Sequence, residues 1–282
     1  MKPLTVLGIY REQMFSPGKI EDDAAIMDAT VEELSRLGWE IRTLRAESIS
    51  TLAPRSEKVL SMAQSDRVLN ILHDWSRQGS RVINTVTSVR DCYRKPLTHL
   101  LAKASVCVPP SRMVTLNEAA ENFSLRSSER LWLKRGDVHA MEPGDVTSVT
   151  SREELDQALQ HFFDHNIRDI LVQEHVRGPV VKFYGVGQGE GAYFKAYLAA
   201  SGEELASEAD RLWAVARQAA GAVGLEVYGG DAVLTDKNGP VLIDLNDWPS
   251  FSRCCRSAAG NIAAYVAAKF QCDRDKTSSF QS

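Results

Sequence analysis

Apolar and polar positions follow two rhythms along this 282-residue chain, with short strands and helical spacing first and period two later. Leu4–Tyr10 is a compact apolar run that predicts a buried strand. Glu21–Leu37 carries Ala24, Ala25, Met27, Ala29, Val31 and Leu34 at helical spacing and ends at Gly38, a helix stop. Trp39–Leu44 predicts a second strand, and Asp66–Arg77 a helix with Val68, Leu69, Leu72 and Trp75 on one face. Arg81–Asn84 predicts a further strand, followed by a helix from about Ser88 to Ala104. Strands separated by helices predict a parallel sheet covered on both faces.

Val108-Pro109-Pro110 breaks this pattern, because the residue before a proline is pushed out of helix. Beyond it, Ser111–Thr115 and Leu131–Lys134 predict strands and Asn117–Phe123 a helix. Ser151-Arg152-Glu153-Glu154 is a capping box opening a helix to about Phe163. Period two then takes over in Asp169–Val176, Val180–Val186 and Tyr193–Leu198. Glu203–Val223 predicts a long helix with Leu205, Ala209, Leu212, Ala216, Ala219 and Val223 on one face. Val227–Thr235 and Val241–Leu245 predict a hairpin turning at Asp236-Lys237-Asn238-Gly239, and Ala258–Phe270 a last helix. The polar tail over 272–282 is expected to be disordered.

Composition narrows the function classes. A 44% hydrophobic content supports a sizeable core, and 33 Lys plus Arg against 37 Asp plus Glu give a net charge of −4. That balance argues against a nucleic-acid partner while leaving room for a local basic pocket. Five cysteines with no CxxC pair argue against a disulfide scaffold or a structural zinc site, and favour a cytoplasmic setting. No apolar run approaches the roughly 20 residues of a membrane span, so no membrane partner is expected. GxxxxGK[ST] is absent, which excludes a Walker loop. The glycines of Gly185-Val-Gly187-Gln-Gly189-Glu-Gly191 have the wrong spacing for a dinucleotide fingerprint and suit a hairpin turn. His161 and His165 lie one helical turn apart, but a solvated pair is the plainer reading than a chelate. Cys254-Cys255 suits buried thiols rather than a redox couple.

The chemistry concentrates in the hairpin. Residues two apart on a strand share a face, so Asp244 and Asn246 present their oxygens together, with Asp231 on the partner strand. Carboxylates on an otherwise apolar hairpin are costly unless they hold a cation, and two carboxylates with an amide oxygen suit Mg²⁺. Upstream stand Lys134 at a strand end, the pair Gln173-Glu174 closing an apolar strand, and Lys182 inside another strand. Each is weak alone, because a lysine at a strand end usually snorkels to water. Their order, Lys, Gln-Glu, Lys, Asp, Asp-x-Asn, is specific.

In that order the sequence resembles the ATP-grasp superfamily, especially the ribosomal-protein glutamate ligase-like branch, and is also similar to the ATP-grasp inositol-phosphate kinases. The resemblance spans roughly Val82 to Phe251 and implies a mixed α/β and α+β fold: a parallel-sheet domain over 1–107, then a two-lobed ATP-grasp domain over 108–271. The lid lobe would cover about 108–176 and the metal-binding lobe about 177–271, with ATP between them. Asn84, Ser88 and Lys95 match an Asn…Ser…Lys pattern whose Lys contacts ATP phosphate. By the same matching Lys134 spans the α/β-phosphates, and Gln173-Glu174-His175-Val176 is the adenine-side hinge. Lys182 lies near the phosphates, and Asp231, Asp244 and Asn246 hold Mg²⁺, with two ions implied. Two features depart from the pattern. The loop Arg135-Gly-Asp-Val-His139-Ala lacks the Gly-rich stretch of many relatives, and Val180 stands where they often carry an acidic residue for the ribose.

The resemblance implies an enzyme that joins a small, anionic carboxylate to an amine through an acyl phosphate, with a hydroxyl-phosphorylating kinase as the alternative. A non-enzymatic ATP-binding module is disfavoured by the full metal-ligand set. Lys95, Lys134, Arg135, Lys182 and Arg253 are the candidate cations at the reaction centre, and His139 is either a base or a surface residue. The loop Arg11–Gly18 is the candidate acceptor contact, because ligands sit beyond the carboxyl ends of parallel strands. Ser88 and Arg90 offer an anion site at a helix start.

Overall fold

The computed structural model describes residues 5–122 and 130–278. Phe123 and the last four residues of the expected tail lie outside them. The chain begins with β1 (Thr5–Tyr10), α1 (Ile20–Arg36), β2 (Glu40–Arg45), β3 (Lys58–Ser61), α2 (Asp66–Arg77) and β4 (Arg81–Ile83). These strands pair in parallel in the order β2-β1-β3-β4, as their separation by helices predicts. β3 was not expected: four residues entering and leaving through loops give too short an apolar run to stand out.

The helix expected over 88–104 is two, α3 (Val86–Asp91) and α4 (Arg94–Lys103). Tyr93 is extended between them (φ −64°, ψ 144°). In a continuous helix the nitrogen of Pro96 would have to bond the carbonyl of Cys92, and proline has no N–H to give. The break turns Arg94 inward and leaves Lys95 on the surface.

A second sheet is antiparallel, in the order β5-β8-β6-β7, from β5 (Ser111–Thr115), β6 (Leu131–Arg135), β7 (Val146–Val149) and β8 (Asp169–Glu174). Helices α5 (Leu116–Asn122) and α6 (Arg152–Asp164) accompany it. Ser151 caps α6 by accepting from the Glu154 amide at 3.2 Å, while Glu154 reaches back to the Thr150 amide. This sheet keeps its own core of Val114, Leu131, Leu133, Leu155, Phe162, Ile170 and Val172.

The third sheet, β10-β9-β11-β12, joins β9 (Val180–Val186), β10 (Tyr193–Leu198), β11 (Val227–Thr235) and β12 (Gly239–Asp247), all antiparallel. The Gly-rich run is the β9–β10 turn, with Gly187 and Gly191 at positive φ. Helix α7 spans only Ala209–Val223, because 203–205 instead pair back to β10 through Leu198 N–H to Glu203 O and Leu205 N–H to Ala196 O. Helix α8 runs from Cys255 to Ser278, so the tail expected to be disordered is helical through Ser278. α8 packs on α1, and a single apolar cluster unites Ile26, Met27, Leu34 and Leu60 with Tyr184, Phe251, Ile262 and Val266. Among the described residues no helix is long and apolar enough to cross a membrane.

Candidate functional site

The hairpin β11–β12 sets Asp231 directly opposite Asp244 and Gly229 opposite Asn246. A bulge at Asp231/Ala232 leaves Ile243 as the extra residue, since Ala232 opposes Leu242. The extra residue lets Leu242 and Leu245, three apart, both enter the core beneath α7, while Asp244 and Asn246 line the open cavity on the other side. Gly229 and Gly230 allow the close approach beside Asp231. A Cβ on Gly230 would lie 2.2 Å from the Asp244 carbonyl oxygen and 2.7 Å from the Phe183 ring.

Two cavities meet at these carboxylates. One, of about 200 Å³, is lined by Arg94, Trp132, Lys134, Gln173, Glu174, His175, Val176 and Val180, with Asp231 and Asp244 at its end. The other, of about 470 Å³, again contains Asp231 and Asp244 and adds Asn246, Lys182, Arg253, His139 and residues of the loop after β1. Asp231 and Asp244 are shared by both.

Cations surround the pair. Lys182 Nζ donates to Asp231 Oδ1 at 2.8 Å, and Arg94 NH1 lies 3.6 Å from Asp244 Oδ1. Lys134, buried in the cleft, donates Nζ to the carbonyl of the bulged Ile243 at 2.8 Å and so ties β6 to β12. Burial pulls Lys134 down to about 8, with Asp244 opposing and Arg94 adding to the fall. Burial works to raise Asp244, but Arg94, Lys134 and His139 outweigh it and hold the carboxyl below its ordinary range. Asp231 is raised by burial and by Asp244 against the pull of Lys182. Lys182 is raised, as Asp231 overcomes the burial penalty.

The donor set fits a hard cation: two ladder-opposed carboxylates and the amide of Asn246, all oxygen and all lining one cavity. The wall of the smaller cavity is held by side-chain hydrogen bonds. Gln173 is buried, donating to Ser111 Oγ at 3.0 Å, and Trp132 Nε1 donates to His175 Nδ1 at 3.2 Å.

Lys95 departs from the expectation. It does not line either cavity; its side chain is 59% exposed and its ammonium pairs with Asp169 at 2.9 Å. Its neighbour Arg94, 4% exposed, occupies the position expected of it. Asn84 contacts protein only: Oδ1 accepts from the amides of Glu226 and Val227, and Nδ2 donates to Val227 O, which pins the start of β11. Ser88 Oγ is bonded to Thr85 O, and Arg90 reaches Asn70 Oδ1 through one amino group. Arg135 also turns away, to Asp137 and the fully buried Asp145, which in turn accepts from the amides of Met141 and Glu142. This carboxylate organises the loop that lacks the Gly-rich stretch.

The larger cavity contains the expected acceptor loop, with Arg11, Phe15, Ser16 and Pro17 in its wall. Arg11 is engaged by Asp23, by Asp247 O at 3.2 Å and by Trp248 O at 2.6 Å. Arg253 donates to Ala199 O at 3.0 Å from the cavity wall. His139 is half-buried rather than on the surface, with Nε2 3.5 Å from Asp247 Oδ1. Trp248 and Phe251, both fully buried, take left-handed backbone (φ 36° and 51°) on either side of Pro249 and Ser250, which line the cavity. Arg94, Gln64, Asp23 and Asp247 were not singled out from the sequence. For Arg94 the signal was the Pro96 restart, which fixes the phase of α4.

No protein-family model and no curated protein matches this sequence. Solved structures do. A RimK domain ATP-grasp protein from Sphaerobacter thermophilus is 19% identical, covers 93% of this chain and 99% of its own, and superposes with a TM-score of 0.70. VanG D-Ala:D-Ser ligase from Enterococcus faecalis is 13% identical over 95% of this chain and 99% of its own, with a TM-score of 0.72. D-alanine–D-alanine ligase from Bacillus anthracis complexed with ATP is 13% identical over 97% and 99%, with a TM-score of 0.71. The parallel sheet, the two antiparallel sheets that follow it and the cleft at their junction are together the ATP-grasp fold.

Proposed function

We propose that this chain is a Mg-ATP-dependent ligase that joins a small-molecule carboxylate to an amine through an acyl phosphate. The observation that carries the reading is the sharing of Asp231 and Asp244 by two cavities, because a phosphoryl group must pass between two sites at one charged point. The smaller cavity takes the nucleotide, with Gln173, Glu174 and Val176 beside the adenine and Lys134, Arg94 and Lys182 toward the phosphates. Asp231, Asp244 and Asn246 would hold Mg²⁺, which when bound supplies charge neutralisation for the triphosphate.

The protein's own part is positioning and charge. Arg94, Lys134 and Lys182 stabilise negative charge where it grows on the transferred group. The larger cavity takes the acceptors. Lys19 and Arg253 in its wall suit a carboxylate, and Asp23, whose Oδ1 has no hydrogen-bond partner, suits an ammonium. The neighbours named as D-Ala ligases support this chemistry for the same fold.

The test is capture of the intermediate. Purified protein with Mg-ATP, a panel of small carboxylates and hydroxylamine should yield a hydroxamate together with ADP and free phosphate. A stable phosphorylated product formed without any amine would replace the ligase reading with the kinase one.

A further inference from the structure

We propose that Cys92, His139 and Asp247 form a second metal site, separate from the all-oxygen set and suited to a borderline-soft divalent ion such as Zn²⁺. The three come from distant parts of the chain: Cys92 just after α3, His139 in the β6–β7 loop and Asp247 at the end of β12. Their ligand atoms lie within 4.8 Å of one another, and His139 Nε2 is 3.5 Å from Asp247 Oδ1. Zinc bonds of roughly 2.0–2.3 Å place two ligands of one tetrahedron roughly 3.5 Å apart, so the imidazole and carboxylate already stand at ligand spacing. The sulfur closes the remaining gap by giving up its 3.2 Å bond to Leu245 O.

Two unpartnered atoms point to an ion. His139 Nε2 and Asp247 Oδ2 are buried with no hydrogen-bond partner, although buried polar atoms are nearly always paired. The surroundings hold both groups in orientation. Gln64 Nε2 donates to Asp247 Oδ1 at 2.9 Å, and the Tyr93 ring meets His139 edge-on with centroids 6.2 Å apart. Outer contacts of this kind orient ligands in metal sites.

The chemistry separates this site from its neighbour. Sulfur and imidazole select against Mg²⁺, and a thiolate with a carboxylate balances a 2+ charge, the thiol proton leaving to solvent on binding. A Cys–His nucleophile is the competing reading of the same residues. Cys92 is fully buried and lines neither cavity, so it cannot meet a substrate. His139 and Asp247 do line the larger cavity, which gives an ion a way in and leaves a further coordination position open. The bound ion would fasten the β6–β7 loop to β12 and to the end of α3, fixing that loop over the cleft.

Co²⁺ titration of the reduced full-length protein in excess Mg²⁺ tests the site without any assumption about the reaction. One equivalent should produce a thiolate-to-Co²⁺ charge-transfer band that Zn²⁺ abolishes by displacement. The band should vanish in Cys92→Ala, whose folding is checked by thermal melting. Gln64→Ala should keep the band while weakening Co²⁺ binding about 10–100-fold. If Cys92→Ala does not fold, His139→Ala decides, with affinity expected to fall by at least about tenfold. No band in the folded wild type, a band that survives Cys92→Ala, or affinity unchanged in His139→Ala would overturn the assignment.

Discussion

Arg94 and Lys95 are consecutive in the chain and opposite in circumstance, so exchanging each for leucine separates structure from sequence pattern. Arg94 is 4% exposed, lines the smaller cavity and stands 3.6 Å from Asp244. Lys95 is 59% exposed in a surface pair. A charge-assisted contact to phosphate contributes about 1.5–3 kcal/mol, so Arg94→Leu should weaken binding of a non-hydrolysable ATP analogue about 10–150-fold. The same change leaves Asp244 with Lys134 as its main cation and should cost about 2 kcal/mol of stability. That is less than the 3–5 kcal/mol of a fully buried broken pair, because Asp244 is partly exposed and at 3.6 Å from the guanidinium. Lys95→Leu should change affinity by less than about threefold, within the 0–1 kcal/mol of an exposed pair. Calorimetric titration in excess Mg²⁺, with melting curves on the same samples, gives both quantities. Equal losses, or the larger loss at Lys95, would refute the placement of Arg94 in the nucleotide cavity.

Lys134 makes stability depend on pH. Its folded pKa near 8 lies below the unfolded value of about 10.4, so between them the unfolded chain holds the extra proton and stability rises with pH. Denaturant unfolding without ligand should show wild type gaining up to about 3 kcal/mol on Lys134→Met across that window, at about 1.4 kcal/mol per unit; a flat difference would remove the shift. Asp244→Asn and Asn246→Ala should abolish turnover, the first with a loss of stability because Arg94 loses its carboxylate and the second with little, and retained turnover in either would displace it from the metal set. Asp145→Ala leaves Arg135 paired with Asp137 alone and removes the acceptor of two amides, costing about 1–3 kcal/mol for each donor left unpaired, with hydrogen exchange rising first in 136–145; unchanged exchange there would show that Asp145 does not organise the loop.

Most strands were legible because their signals are local, but β3 and β7, four residues each, were not. The β11–β12 hairpin announced itself by period two on both sides of a four-residue turn, and Asp244 and Asn246 followed from parity alone. The bulge at Ile243 was not legible, since one extra residue leaves no mark in composition, yet it decides which carbonyl meets Lys134. Lys95 entered as the phosphate cation through the Asn…Ser…Lys resemblance alone; the restart at Tyr93 sets the phase of α4 so that Arg94 lines the smaller cavity and Lys95 does not. Asp247 was passed over because its partners, Gln64 and His139, are 183 and 108 positions away in sequence.

The self-contained core of the β5–β8 sheet has a kinetic consequence. Its apolar cluster is drawn only from residues 114–172, whereas the cluster beneath α1 and α8 mixes residues from both ends of the chain. Swinging that sheet away from β12 therefore leaves its own oil drop intact. The polar links that would part include Lys134 to Ile243 O, Lys95 to Asp169 and His139 to Asp247. Contacts of that kind break without repacking a core, and of the three the exposed Lys95–Asp169 pair would weaken with ionic strength while the buried bond of Lys134 would not. Such a motion would leave the larger body, knitted by α1 and α8, whole.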